Sequence, residues 1–285
     1  MYDGCKLAME ADKSITVQVV EPTEVAEFEG HYMELAKTGE YDLIIGSGFD
    51  GVEAVTKVSG LFPEQKFMFV DGDCGDLPNV TSVTFRDNEK AFLLGYMAAK
   101  KTATGKLGFV GGMDIPSINM FAAGFEAGAA YADKNVTVER KYVGAWNDTS
   151  TGKELALALY DAGCDIVFQV ASRTGEGVFE AAAERGLYAI GVDSDQKYIN
   201  PDVIICSMIK QVNLSIEQAV TAYATEGTWM GGQIWVADMA TGLIDVGYGD
   251  DTMTQQVSDE LKAEVEEIKA QIIAGEIEVP TAFVG

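Results

Sequence analysis

Short apolar runs that pass directly into glycine-bordered polar turns recur along this sequence, and they constrain its fold more than any other feature. The pattern occurs at residues 42–50, 105–119, 165–175 and 189–195, with helix-like segments such as 89–100 and 152–162 between the runs. Strands that alternate with helices indicate βαβ units and a mostly parallel sheet. The loops after parallel strands meet at one edge of the sheet, where small ligands bind. The sequence therefore predicts a ligand site made of loops.

The apolar runs fall into two series, which predict an α/β fold with two doubly wound lobes. We expect the first lobe to hold residues 1–104 plus about 233–285, and the second to hold 105–232. Residues 258–274 form an amphipathic pattern that predicts a C-terminal helix capped by Ser258. The predicted strands are 15–20, 43–45, 67–70 and 80–85 in the first series, and 107–110, 136–142, 166–170, 187–192 and 203–207 in the second.

The sequence opens with a helical pattern, in which Tyr2, Cys5, Leu7 and Met9 precede the first strand-like run. A doubly wound domain ordinarily opens with a strand. We therefore expect the first lobe to lack its first strand and the chain to bind its ligand poorly. A natural variant with a helical start is the alternative.

The net charge of −25 argues against a nucleic-acid partner, because phosphate contacts need clustered Lys and Arg, and only 20 basic residues are scattered along the 285-residue chain. A solvated acidic surface is the simpler explanation of this charge. The hydrophobic fraction of 47% is that of a globular protein with a core, and no apolar run reaches the roughly 20 residues of a membrane span.

Residue types that commonly bind metals or perform catalysis are sparse in this sequence. Cys5, Cys74, Cys164 and Cys206 have no metal-ligand spacing, and the single histidine, His31, lies in a helix-like stretch. No strand-end loop carries an evident nucleophile with a base. The sequence therefore predicts a binding protein with no cofactor, no metal and no disulfide, rather than an enzyme.

Several of these segments together resemble the basic membrane protein family, the purine-nucleoside-binding lipoproteins of ABC transporters. The similarity covers nearly the whole chain and lies in the order and spacing of the motifs, because none of them is diagnostic alone. It implies a two-lobed periplasmic-binding-protein fold of type I with the ligand in the cleft between the lobes. The motifs that carry it are residues 41–49, 105–116, 142–148, 152–156, 191–196, 207–210 and 275–280.

The resemblance implies three main ligand contacts. Trp146 matches the family's aromatic residue that stacks on the base, Asp193 matches an aspartate that accepts hydrogen bonds from the nucleoside, and Lys210 matches a cleft lysine. Each has a simpler structural explanation: Trp146 as a core residue, Asp193 as a helix cap, and Lys210 as an exposed residue after a strand.

The chain also departs from the family pattern. Ser172 and Arg173 stand where the family commonly has glycines, which predicts a smaller pocket or one that contacts an additional polar group. Arg173 has the donors for a carboxylate or phosphate, or it points to solvent. The family's first-lobe ligand residues would precede Met1, so Phe49 and Asp50 are the candidates in that lobe.

The resemblance favours an extracytoplasmic solute-binding protein that delivers a purine nucleoside to a permease. It places the protein outside the cytoplasmic membrane, either secreted or held by a lipid anchor whose signal and lipobox cysteine would lie upstream of Met1. A flavin, another flat heteroaromatic molecule or a sugar-like solute is an alternative ligand.

Two alternatives come from other classes. A ligand-sensing repressor would need a DNA-binding segment, and the sequence shows none. A nucleoside-hydrolysing enzyme would need a carboxylate cluster or a paired nucleophile and base. The loop carboxylates available for such a cluster are Asp50, Asp71, Asp73, Asp114, Asp193 and Asp195.

Overall fold

In the computed structural model the chain folds into two units. The structure describes residues 1–283 except for the side chain of Phe49. The first unit comprises residues 1–85 and 211–237, and the second comprises residues 86–210 and 238–285. The backbone therefore passes from one unit to the other at three points.

Helices and strands alternate along most of the chain. The helices are α1 (Tyr2–Ala11), α2 (Phe28–Thr38), α3 (Val52–Leu61), α4 (Asp87–Lys101), α5 (Pro116–Ala132), α6 (Thr149–Asp161), α7 (Glu176–Arg185), α8 (Val212–Glu226) and α9 (Asp259–Ile273). The strands are β1 (Ile44–Ser47), β2 (Phe67–Val70), β3 (Val80–Phe85), β4 (Lys106–Gly111), β5 (Thr137–Tyr142), β6 (Ile166–Val170), β7 (Tyr188–Gly191), β8 (Ile204–Lys210), β9 (Gln233–Ala237) and β10 (Ile244–Gly247).

The first unit is built on a parallel sheet with the strand order β1-β2-β3-β9. Successive side chains of a strand point to opposite faces of the sheet. Ile44, Phe67 and Phe69 pack with α2 and α3 on one face. On the other face lies α8, which also packs against α1. Helices on both faces make this unit doubly wound.

The second unit contains a sheet with the order β10-β8-β7-β6-β4-β5, parallel except for the antiparallel pair of β10 and β8. α4 packs on α5, and α6 packs on α7 above a buried apolar cluster. The strand order reverses at β4, because β5 follows on one side and β6 on the other. In such sheets the crevice for a ligand opens at the carboxyl ends of the strands beside this reversal.

The prediction of the C-terminal helix is confirmed. Ser258 precedes α9 and its side-chain oxygen accepts a hydrogen bond from the Leu261 N–H at 3.3 Å. The Tyr96 hydroxyl of α4 donates to Glu264 at 2.9 Å, which joins α9 to the second unit. Within residues 1–283, no helix combines the length and the apolar character that a membrane crossing requires.

The prediction of a strand at residues 15–20 is wrong. This segment runs without regular structure and half of its side chains are exposed. None of the described strands pairs with it, so an alternating pattern alone did not produce a strand. The sequence analysis missed β9 and β10, whose short runs include side chains as exposed as Ile234 and Val236.

The boundaries of the two units differ from those expected from the sequence. α4 belongs to the second unit because it packs along α5. α9 belongs to the same unit because it packs against α4. α8 and β9 lie with the first unit, because β9 pairs with β3 and α8 packs on α1. These groupings depend on contacts between residues far apart in the chain.

Candidate functional site

The loop after β5 carries Trp146 to the reversal point of the second sheet. The Gly112 carbonyl, just beyond β4, accepts hydrogen bonds from the N–H groups of Gly144 at 2.7 Å and Ala145 at 3.1 Å. Gly144 has φ of +83°, a conformation that glycine adopts without strain. The Trp146 carbonyl accepts a bond from the Thr174 N–H at 3.1 Å, which ties the same loop to the one after β6.

The indole of Trp146 lies against the backbone of Gly112 and is half-buried. A methyl group at Gly112 would overlap with Cζ3 and Cε3 of the indole, so a residue with a side chain at this position would displace the ring. The position of Trp146 therefore depends on the absence of a side chain at the end of β4. The simpler explanation, a tryptophan of the apolar core, does not fit a half-buried ring on a loop.

Thr174 fixes this loop, and the sequence analysis did not identify it. Its fully buried side chain donates to the Ala145 carbonyl at 3.2 Å and accepts from the Asp148 N–H at 2.8 Å. Asp148 in turn caps α6 by accepting from the Thr151 N–H and hydroxyl, and these bonds lower the pKa of its carboxyl. The loop is thus restrained on either side of Trp146, at Ala145 and at Asp148.

Ser172 and Arg173 lie in the short helical turn Ser172–Gly175 after β6, and both are exposed. Ser172 has φ of +52°, a backbone conformation that costs a non-glycine residue free energy. Their side chains are therefore on the outside of the turn whose buried member is Thr174. The structure gives no ligand contact for either, and their roles stay predictions.

Asp193 follows β7 at the same edge, with φ of +66° and an exposed side chain. Its carbonyl accepts from the Lys210 N–H at 2.9 Å, which fixes the backbone beside the end of β8. The next helical turn begins at Lys197 after Gln196, so Asp193 does not occupy the cap position that was its alternative explanation. A carboxylate in this place is available as a hydrogen-bond acceptor.

Lys210 is the last residue of β8 and is not an ordinary exposed lysine, because its side chain is only 5% exposed. Its ammonium nitrogen lies 3.1 Å from Oδ2 of Asp87 and 5.4 Å from the centre of the Phe121 ring. Asp87 is the first residue of α4, where the helix dipole favours a negative charge. The strand end thus holds a buried ion pair.

Lys90 is a second buried cation beside this pair, one that sequence reasoning missed. Its ammonium donates to the Ile209 carbonyl at 3.0 Å and lies 3.5 Å from Oδ1 of Asp87. Burial lowers the pKa of Lys90 to about 8, an effect that the negative charge of Asp87 opposes. The available signal was an Asp and a Lys spaced i, i+3 within an apolar helical run.

A chain of polar side chains joins β6, the loop after β7 and β8. The Gln169 amide donates to Oε1 of Gln196 at 2.8 Å, and the same oxygen accepts from the Val192 N–H at 2.9 Å. The Gln196 N–H donates to the Ser207 hydroxyl at 2.9 Å. These bonds hold the segment that carries Asp193 in one conformation.

In the first unit, Asp50 is exposed in the helical turn Phe49–Gly51 that follows β1. The side chain of Phe49 lies outside the described residues. The roles of both in ligand binding stay predictions. Among residues 1–283, no group of three His, Cys, Asp or Glu side chains is arranged to hold a metal ion.

Residues 1–282 match the protein family described as ABC transporter substrate-binding protein, PnrA-like. The chain belongs to this family.

Named relatives agree with the family match. An ABC transporter nucleoside-binding protein, BmpA, of Lactococcus lactis is 34% identical over 85% of this chain and 72% of its own length. Basic membrane protein A of Borreliella burgdorferi is 34% identical over 87% of this chain and 74% of its own. The crystal structure of an ABC transporter solute-binding protein from Aeropyrum pernix superposes with a TM-score of 0.85, at 29% identity, over 98% of this chain and 88% of that one.

The basic membrane protein resemblance and the α/β periplasmic-binding-protein fold are therefore confirmed. Members of this family are extracytoplasmic substrate-binding proteins of ABC transporters rather than enzymes. The protein accordingly binds a small solute for a permease system, and the hydrolase alternative does not apply.

Proposed function

We propose that this protein binds a purine nucleoside at the carboxyl edge of its second sheet and delivers it to an ABC permease. The observation that carries the proposal is the half-buried indole of Trp146, held over Gly112 by loops from β4, β5 and β6. A partly exposed aromatic ring in a rigid loop suits the stacking of a flat base, which is worth about 1–3 kcal/mol.

The polar groups at this edge complement the rest of a nucleoside. Asp193 follows β7, two strands away from β4, a distance of about 10 Å at the usual strand spacing. Its exposed carboxylate suits the hydroxyl groups of a ribose or the N–H groups of a base. The Lys210–Asp87 pair lies one strand further along. A nucleoside has a flat base at one end and ribose hydroxyl groups at the other. This arrangement matches the order of the aromatic ring and the charged groups along the edge of the sheet.

The relative from Lactococcus lactis supports the same ligand class, because its name describes it as a nucleoside-binding protein. We also propose that a lipid anchor holds the full-length protein at the outer face of the cytoplasmic membrane. Metabolic labelling of the full-length protein with radioactive palmitate tests the anchor, and an unlabelled protein would contradict it.

Calorimetric titration with a panel of solutes tests the ligand class. We expect the full-length protein to bind adenosine, guanosine or inosine saturably, and to bind free adenine or ribose at least tenfold more weakly, since each lacks half of the contacts. Riboflavin and galactose represent the alternative ligand classes. Saturable binding of one of these two, with none of the nucleosides bound, would overturn the proposal.

The variant Asp193→Asn refines this test, because it removes a charge-assisted hydrogen bond and keeps the shape of the side chain. Nucleoside affinity should fall about tenfold or more. Asp251→Asn is the matched control, an exposed aspartate of the same unit. Equal losses in both variants would show a general effect of charge instead of a contact at Asp193.

A further inference from the structure

A cavity of about 220 Å³ lies in the first unit between α8 and the sheet, away from the residues discussed so far. It lies beside the amino-terminal halves of the strands, since Leu43 precedes β1 and Met68 is the second residue of β2. The loops that carry Trp146 and Asp193, in contrast, follow carboxyl ends of strands in the other unit. Its apolar walls are Leu43, Met68, Trp229, Met230 and Trp235.

The side chains on one face of α8 become smaller along the helix, and the cavity lies beneath the small ones. Ile216 is fully buried and fills the space beneath the first half of the helix. One turn later the residues that line the cavity are Ala219 and Ala222, whose side chains are too short to reach the sheet. An apolar cavity of about 150 Å³ accommodates benzene, so this one has room for one aromatic ring with a substituent.

One polar group in the wall lacks a partner. Thr81, on β3, is 2% exposed, and its hydroxyl oxygen makes no hydrogen bond with any of the described residues. Its register partner on β2 is Met68, which lines the same cavity, so both side chains point to this face of the sheet. A buried hydroxyl without a partner costs free energy, and a ligand with a matching polar atom would remove that cost.

The lining residue Trp229 packs against Tyr223, which lies outside the lining. The ring of Trp229 meets that of Tyr223 edge-on, with centroids 5.9 Å apart. The Lys66 ammonium donates to the Tyr223 hydroxyl at 2.9 Å and lies 4.9 Å from the centre of its ring. Tyr223, itself held by Lys66, therefore supports the outer side of Trp229.

We propose that this cavity is a second ligand site, one that binds a small aromatic molecule with a single hydrogen-bonding group, such as a phenol. The tryptophan and methionine side chains supply the apolar contact, and Thr81 supplies the polar one. The site is independent of the proposed nucleoside site, because the two are lined by different residues of different units.

The test uses 4-fluorophenol as the probe and fluorine NMR as the readout, with fluorobenzene as the probe that lacks a hydroxyl. Saturable binding of 4-fluorophenol to the wild-type protein is expected. Ala222→Leu fills the cavity and should weaken this binding at least tenfold. Ala224→Leu adds the same side chain to an exposed position of α8 and is the matched control.

Three further measurements keep the proposal falsifiable. Thr81→Val should weaken 4-fluorophenol about fivefold and leave fluorobenzene unchanged, since only the hydroxyl is lost. Where Ala222→Leu melts well below the wild type, Ala219→Leu replaces it. In a Trp146→Phe protein, Trp229 and Trp235 are the two tryptophans that remain, and their fluorescence should change as the probe binds.

The proposal fails if the wild type shows no saturable binding or if the cavity-filling variants bind the probe as the wild type does. It also fails if saturating adenosine displaces the probe, which would place the probe at the nucleoside site. Binding of the probe by a protein that binds no nucleoside would overturn the proposed function alone.

Discussion

At the scale of single residues, the position of Trp146 is decided by its neighbours rather than by its own chemistry. Gly112 leaves room for the ring, and its carbonyl and the Thr174 N–H fix the backbone on either side. A tryptophan on an unrestrained loop would lose side-chain and backbone freedom on binding a ligand. Here much of that ordering is complete before the ligand arrives.

Replacing Trp146 with alanine should weaken nucleoside binding ten- to a hundredfold, which corresponds to a stacking energy of about 1–3 kcal/mol. The melting temperature should change little, because the half-buried ring contributes few core contacts. Calorimetry and thermal unfolding of the same variant measure both effects. Tyr198→Ala, which removes an exposed aromatic ring of the same unit, serves as the control. A large fall in melting temperature with unchanged affinity would make Trp146 a packing residue.

At the scale of the elements, buried charged side chains connect the first turn of α4 to the end of β8. Asp87 lies between two cations, Lys90 and Lys210, while Asp193 contributes a further negative charge to the field at Lys90. Burial of a charge is costly unless it is paired. The contact therefore pairs the buried charges of helix and strand, and removing one partner would leave the other buried and unpaired.

The lowered pKa of Lys90 predicts a dependence of stability on pH. Between pH 8 and its ordinary pKa near 10.5, the unfolded chain binds a proton at Lys90 that the folded protein has released. The free energy of unfolding should therefore rise with pH in this range as far as Lys90 is concerned. Between pH 7.5 and 10 the wild type should gain about 2 kcal/mol relative to Lys90→Met, measured by urea unfolding. Lys100→Met, on the exposed side of α4, should show no such gain, and parallel pH profiles of wild type and Lys90→Met would refute the assignment.

At the scale of the whole molecule, the excess of acidic residues dominates the electrostatics. With a net charge of −25, the acidic side chains of the folded protein repel one another. Salt at 0.1 M screens this repulsion between charges more than about 10 Å apart. Most of the ion pairs are exposed, such as Lys6–Asp3 and Lys57–Glu29, and exposed pairs contribute little stability.

The melting temperature should therefore rise by several degrees when sodium chloride increases from 10 to 300 mM. Sucrose at the same osmolality is the control, because it stabilises without screening charge. A melting temperature that falls with salt would mean that the attractive pairs outweigh the repulsion.

The sequence by itself determined the order of the βα units, because each apolar run and each amphipathic helix is a local pattern. β2, β3 and β6 lie where the runs predicted them, and Ser258 caps α9 as expected. Local patterns also placed Trp146, Asp193 and Lys210 at strand ends. Their proposed roles came from a family resemblance, not from periodicity.

Only the tertiary structure decided which strands pair and which residues meet across the chain. The segment 15–20 alternates like a strand, yet it forms none, since a strand needs a partner that local pattern does not specify. Asp87, Lys90 and Lys210 are spread over more than 120 positions, and Thr174 reaches back to the loop of Trp146. The cavity beneath α8 likewise arises where two alanines face three strands. Contacts of this kind form between residues that are far apart in the sequence, so local sequence patterns do not specify them.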